Sequence, residues 1–228
     1  MSQTLCLHYA PDNASLCIRL ALEELDVPYR TCLVDRSAKA HKAASYLAMN
    51  PNGLIPVLET PHGPMFETGA ILLWLADTYE GLIPRPDDPA RAHALQWLFW
   101  LSNTLHPALR MMFYPAQHIN GDPAGLNEVT VQRIRAQLDV LQNASYANWL
   151  DAAAPTVQGC YLAPMLRWAA LYGGGPAWFD LRDWPRLLRF AQRFEVCSAA
   201  QRAATAEGLG PTSFSAPSPC TPPEGSAT

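Results

Sequence analysis

The sequence predicts a mixed α/β first half followed by an all-helical second half. Three observations carry this prediction. Over residues 1–80, short apolar runs alternate with helical patterns in the order β-α-β-(α)-β-β-α. Residues 81–89, GLIPRPDDP, interrupt the chain with prolines and turn formers and read as a linker. Beyond them, no convincing strand-like segment occurs before the tail.

Each element has a local cause. Residues 4–9 are short and apolar, and Ala10-Pro11-Asp12-Asn13 ends them. Leu16, Ile18, Leu20, Leu22 and Leu25, with Ala21, predict a helix over 15–25 that is buried on much of its surface. Residues 29–34 read as a second strand, and Asn50-Pro51-Asn52-Gly53 as a turn. Residues 55–59 and 64–66 flank Thr60-Pro61-His62-Gly63 as a hairpin, and a helix follows over 68–79. In the second half, helices are expected over 91–112, 126–150, 157–172 and 184–193, with a short last one near 198–206. The final 18 residues hold 5 of the 21 prolines and one charged residue, Glu224, and predict a poorly ordered tail.

Composition narrows the function classes. Apolar residues make up 49% and charged residues 16%, the opposite of a disordered chain. The net charge of −4 does not suit a phosphate backbone, so no nucleic-acid partner is expected. No stretch of 18 apolar residues exists, which predicts no membrane span, and the N-terminus shows no secretory pattern. The six cysteines form no C-x-x-C pair and are irregularly spaced. They argue for reduced thiols in a cytoplasmic protein, with no metal site and no disulfide framework.

The chemistry concentrates in two motifs. Pro56 opens a strand-like run, where an edge proline or a cis-proline presenting the backbone of Ile55 would fit. Glu67 and Thr68 stand at the start of the next helix, where free N–H groups suit a carboxylate ligand and Thr68 can also cap. Together, N-P-x-G-x-I-P-V-L-E at 50–59 and E-T-x-A-I at 67–71, after an N-terminal strand and helix, resemble the cytosolic glutathione transferase superfamily. The resemblance covers about residues 3–207.

The resemblance implies a thioredoxin-like glutathione-binding domain over 1–80, a linker at 81–89, a helical substrate domain over 90–210 and the tail at 211–228. It implies a homodimer that uses glutathione as co-substrate, without a further cofactor, against a small hydrophobic electrophile. Ile55 and Pro56 would engage the cysteinyl unit. Glu67 and Thr68 would hold the zwitterionic γ-glutamyl end. Lys39, with His41 and Lys42 beside it, would meet the glycyl carboxylate. A carrier or interaction module of the same fold, or a glutathione-dependent peroxidase, is the alternative.

A transferase must form the glutathione thiolate. Lowering a thiol pKa by two from its usual value near 8.5 takes about 2.7 kcal/mol of selective stabilisation, more than the roughly 0.3–1 kcal/mol a helix terminus supplies. Beta-class members of the superfamily resemble Y-x-P-x-x-C in the first loop. This chain has Ala14 at the cysteine position, so a mixed disulfide there is excluded. Ser15, then Asn13, then Tyr9 rank closely as the directed donor, and Cys17 reads as a packed thiol. Leu105-His106 is similar to a pair that beta-class members place near the sulfur, so His106, with Arg110 and Tyr114 further along the helix, is assigned to the substrate pocket. Pro107 should kink that helix. Members of that superfamily typically start this helix with serine or threonine followed three places later by aspartate, whereas here Thr156 is followed by Gly159. That predicts a weak helix start, which Gly159→Asp would repair.

Overall fold

A computed structural model describes residues 4–227. Strands β1 (Leu5–Tyr9), β2 (Tyr29–Leu33), β3 (Val57–Thr60) and β4 (Gly63–Met65) form one sheet in the order β2-β1-β3-β4. β1 runs parallel to β2 and antiparallel to β3, and β4 folds back on β3. Helix α1 (Ser15–Glu24) makes the crossover from β1 to β2, as a parallel pair requires. A short turn of 3-10 helix (Ala40–Lys42), α2 (Ala44–Leu47) and α3 (Thr68–Thr78) complete the first half.

β1 is central and buried on both faces, so its residues are apolar almost without alternation. Leu5, Leu7 and Tyr9 join α1 and α3 in a core that continues without a break into the helical half. Val57, Val34 and Tyr46 form a smaller cluster. The second half contains α4 (Arg91–Trp100), α5 (His106–Phe113), α6 (Ala124–Asn143), α7 (Val157–Leu171), α8 (Gly175–Trp178), α9 (Pro185–Glu195) and α10 (Ser198–Glu207). α7 is its axis, buried from Val157 to Ala169.

Three expectations change. The helix expected over 91–112 is not continuous: a π-helical turn at Leu101–Leu105 separates α4 from α5. Pro107 falls in the first turn of α5, where its missing N–H is least needed, so the wider turn absorbs the proline. α6 stops at Asn143, short of the expected end, and Asn148–Asp151 form a separate 3-10 turn.

The tail is the largest correction. Among the described residues from 211 onward, Ser213 and Phe214 are buried and the others are half-buried or exposed, but the segment is held by specific contacts. Phe214 is fully buried and meets the Phe194 ring edge-on at 5.7 Å between centroids. Burying such a ring contributes roughly 2–3 kcal/mol, which offsets part of the entropy of ordering the segment. The Glu195 carboxylate accepts the N–H groups of Phe214 (3.0 Å) and Ser215 (2.9 Å). Gly208 ends α10 at φ +64°, and a Cβ there would lie 2.1 Å from the Thr221 carbonyl oxygen, so only glycine fits where the tail returns.

The start of α7 also differs. Thr156 caps it by accepting the Gly159 N–H at 3.1 Å. A Cβ on Gly159 would stand 3.1 Å from the Phe194 ring and 3.5 Å from that of Phe190. Gly159→Asp would therefore press a carboxylate against two phenyl rings. It is expected to lower the melting temperature by a few degrees where the sequence pattern alone anticipated a rise. Thermal denaturation of the variant beside the parent chain checks this.

Candidate functional site

The loop between β1 and α1 is nailed in place by buried charge. Asp12 sits at φ +52° with its carboxylate buried. That carboxylate accepts from Arg167 Nε (2.9 Å), Trp168 Nε1 (2.9 Å) and Tyr172 Oη (2.6 Å), all on or just after α7. The Asp12 N–H donates to Glu207 at 2.8 Å, and Glu207 in turn receives Arg19 Nε at 2.8 Å. Burial pushes the Glu207 carboxyl up to about 7, against the pull of Arg19. None of Asp12, Arg19, Arg167 or Glu207 was singled out from sequence. The available signal was an arginine within the apolar run of each of two helices.

This anchored loop forms one wall of a cleft between the two halves. Two adjoining cavities, of about 400 and 290 Å³, share Ala14, Leu54, Ile55, His106 and Arg110 in their walls. Ala14 thus stands where the two arms meet. The smaller arm is lined by Ile55, Pro56, Glu67 and Thr68, and the Ile55–Pro56 bond is cis. Glu67 holds φ +73°, ψ 110°, a conformation that costs a non-glycine residue of order 1–3 kcal/mol and is found where surrounding structure enforces it. Tyr161 of α7, unnoticed in the sequence, also lines this arm. Its hydroxyl pairs with His106 Nδ1 at 2.9 Å.

The larger arm is lined by Asn13, Arg36, His41, Lys42, Arg110, Tyr114 and Trp168, among others. His106, Arg110 and Tyr114 do converge here. Arg110 lies 5.4 Å over the Tyr114 ring, and Tyr114 Oη accepts from Arg36 at 3.2 Å. His106 is wedged between Tyr161 and Trp168, and burial, with Arg110 beside it, depresses its pKa to about 4. It is therefore neutral at neutral pH. Arg36, Lys42 and Arg110 make this arm electropositive. Gly53 lets the chain pass close to Lys42: a Cβ there would be 2.9 Å from Lys42 Nζ.

Three site expectations need correction. Ser15 is fully buried and lines neither arm. Its hydroxyl donates to the Ala10 carbonyl (3.1 Å) and accepts the Ala10 N–H (3.3 Å), closing the loop on itself. Tyr9 also lines neither arm. It is buried beneath Arg19, 4.8 Å from its ring, and donates its hydroxyl to Glu224. Burial and that carboxylate push the phenol well above its ordinary range. Lys39 takes a left-handed conformation at φ +54° that leaves it exposed and outside both walls, whereas His41 and Lys42 lie in one. Of the three donor candidates, only Asn13 faces the cleft.

No cysteine lines either arm, and Cys17 is buried with its thiol pushed well up. One group among the described residues could hold a metal: Cys6, His8 and Glu59, whose ligand atoms lie within 4.8 Å of one another. It lies outside the cleft walls, and His8 Nε2 and Glu59 already pair at 2.8 Å.

Known proteins share part of this sequence and its fold. Residues 4–77 match the family described as Glutathione S-transferase, N-terminal domain. A glutathione S-transferase of Xanthomonas campestris, GST-4.5, is 29% identical over 210 residues, spanning 89% of this chain and 98% of that protein. Over its N-terminal domain the chain is similar to the glutathione S-transferases. Solved structures agree. A sphingomonad glutathione S-transferase complexed with glutathione superposes with a TM-score of 0.73 at 28% identity, covering 90% of this chain and all of that one. A glutathione transferase homologue from Sulfitobacter reaches 0.77 at 22% identity, over 87% of this chain and 96% of that one, and speaks for the fold alone. Like those structures, the chain joins a thioredoxin-like sheet domain to a helical one. Among the described residues no helix is long and apolar enough to cross a membrane.

Proposed function

We propose that the protein is a cytoplasmic, homodimeric glutathione transferase of beta-like type that activates glutathione without an enzyme cysteine or any further cofactor. The observation that carries this reading is the position of Ala14. It lies at the junction of the two arms, beside Asn13 and across from Ile55 and the pair Glu67–Thr68. Glutathione laid along the cis Ile55–Pro56 segment would set its ammonium on Glu67. Its γ-glutamyl carboxylate would lie on Thr68 and the start of α3, and its glycyl carboxylate on Lys42 and His41. Its sulfur would then face Ala14, where the beta-class cysteine would otherwise stand.

The electrophile belongs beside His106, Phe113, Tyr114 and Trp168, a wall of aromatic surface with a neutral imidazole. The thiolate attacks its electron-poor carbon, forming a C–S bond. The leaving group departs in a substitution, or the carbon framework takes a proton in an addition. Arg110 is placed to steady negative charge that develops on the electrophile.

Glutathione titrated into the protein by calorimetry should bind, and turnover should follow with aryl halides or enals. An absence of glutathione binding would overturn the reading. Binding without turnover on these and on organic peroxides would make the protein a carrier. The donor assignment has its own test. Asn13→Ala should raise the thiolate pKa of bound glutathione by about 1, the worth of one charge-assisted hydrogen bond, read by ultraviolet thiolate absorbance. Ser15→Ala should leave that pKa unchanged while lowering stability by about 1 kcal/mol, because its hydroxyl serves Ala10.

A further inference from the structure

The hydroxyl and amide protons of Tyr9, Asn13 and Ser15 are all in use. Tyr9 has one hydroxyl proton, and it goes to Glu224. Asn13 has two amide protons: one goes to the Pro11 carbonyl (3.0 Å) and the other to that of Ala227 (3.2 Å). Ser15 gives its proton to Ala10. Thus each of these four side-chain protons is already committed within the chain, and two of the four go to residues 224–227.

The same segment reaches the cleft itself. Ala227 stands in the wall of the larger arm with Asn13, Ala14 and Arg36, and its carbonyl also accepts from the Arg36 guanidinium. The segment is tethered just upstream. Arg167 donates to the carbonyls of Leu209, Ser213 and Ser218, and Thr221 N–H donates to the Gly208 carbonyl at 2.9 Å. Its end is therefore delivered to the loop by a fixed anchor.

We propose that residues 222–227 form a displaceable strap that occupies the donors of the glutathione thiolate, so that forming the thiolate requires Ala227 to surrender Asn13 and Arg36. Glu224 is the positioning residue that ties the strap to Tyr9. The proposal rests on the glutathione reading above. A peptide carbonyl and a thiolate compete for the same N–H groups, and a charged acceptor holds a donor roughly twice as strongly as a neutral one. The thiolate therefore wins the contest, but only after displacing the carbonyl, and that displacement lifts its pKa. The charges around it are unequal. Arg36, His41, Lys42 and Arg110 face the larger arm and favour an anion. Asp12 is spoken for by Arg167, which leaves Glu224, beside Tyr9, as the carboxylate the strap adds next to the loop.

The test uses the full chain, the chain ended after Thr221, and Glu224→Gln. The truncation keeps Phe214, Ser218 and Thr221, hence the tether. Bound thiolate is titrated by ultraviolet absorbance and glutathione affinity is measured by calorimetry. Ending the chain after Thr221 should lower the thiolate pKa by about 0.5–1, giving three to ten times more thiolate below it, and Glu224→Gln should move it part of the way. Equal thiolate pKa values in the full and truncated chains, or a higher one without the strap, would overturn the proposal. Should the truncated chain fail to fold, an unmoved pKa in Glu224→Gln overturns it alone. If neither form binds glutathione, the transferase reading is what fails, and the strap proposal falls with it.

Discussion

Asp12→Ala should cost about 3–5 kcal/mol of stability and abolish glutathione binding in the material that remains folded. Arg167 is fully buried, and Asp12 is its only carboxylate partner among the described residues. Removing the carboxylate leaves a buried guanidinium without its counter-charge, and the Trp168 indole and Tyr172 hydroxyl without their acceptor. The tail loses as well, because the same arginine holds the carbonyls of Ser213 and Ser218. The loop that carries Asn13 and Ala14 would no longer be held against α7, so the loss of binding follows from geometry rather than from any contact of Asp12 with glutathione. Urea denaturation measures the first effect and calorimetry the second. The double variant Asp12→Ala, Arg167→Met removes both charges and should regain most of the lost stability, since breaking a buried pair costs far more than replacing it. A double variant no more stable than Asp12→Ala would show that the pair matters for its hydrogen bonds and not for its charge.

The reach of sequence reasoning follows the distance over which each feature is determined. The strands and most helices depend on local periodicity and turn formers, and they lie close to where those patterns placed them. At Pro56 the alternatives of an edge proline and a cis-proline resolve to a cis Ile55–Pro56 bond, and Glu67 and Thr68 stand at the start of α3 as expected, because a short stretch of chain fixes both positions. Ser15 was misread because spacing placed it near the sulfur, whereas its hydroxyl direction depends on the Ala10 backbone five residues before it. Lys39 and Lys42 could not be told apart without knowing that the chain turns left-handed at Lys39. Asp12 and the tail were missed for the same reason: their partners are remote. Asp12 finds Arg167 155 residues away and Glu207 195 away. A proline-rich segment of low charge lacks local structure of its own, and what orders it is one buried phenylalanine and carbonyls that serve a buried arginine.

Acidification should destabilise the protein through His106, by about 2–3 kcal/mol between pH 6.5 and 4. Its folded pKa, about 4, lies below the value of 6.5 for an unperturbed imidazole, because burial among Tyr161 and Trp168 disfavours the charged ring and Arg110 adds repulsion. In the unfolded chain the ring takes up a proton as pH falls through 6.5. In the folded protein it does so only near 4. Between these values the unfolded state binds more protons, so stability falls with pH, at 1.36 kcal/mol for each pKa unit of difference. The contribution is complete above about 6.5 and gone below about 4. Glu207 works in the opposite sense over part of this range. Its carboxyl, raised to about 7, binds its proton more tightly folded than unfolded, so its contribution grows as pH falls from 7 towards 4.5. The two groups partly cancel in the parent protein, and a flat stability profile would by itself say nothing about His106. The difference between the parent and His106→Asn isolates the histidine, because Glu207 contributes equally to both. Urea denaturation at pH 7 and pH 4.5 should show the parent losing about 2 kcal/mol more than the variant. Parallel losses in the two proteins would mean that the folded imidazole takes up its proton near pH 6.5, as the free ring does, and is cationic below that pH. A cationic ring between the arms of the cleft would then favour the thiolate electrostatically, and the neutral pocket wall assigned to the electrophile would have to be redrawn.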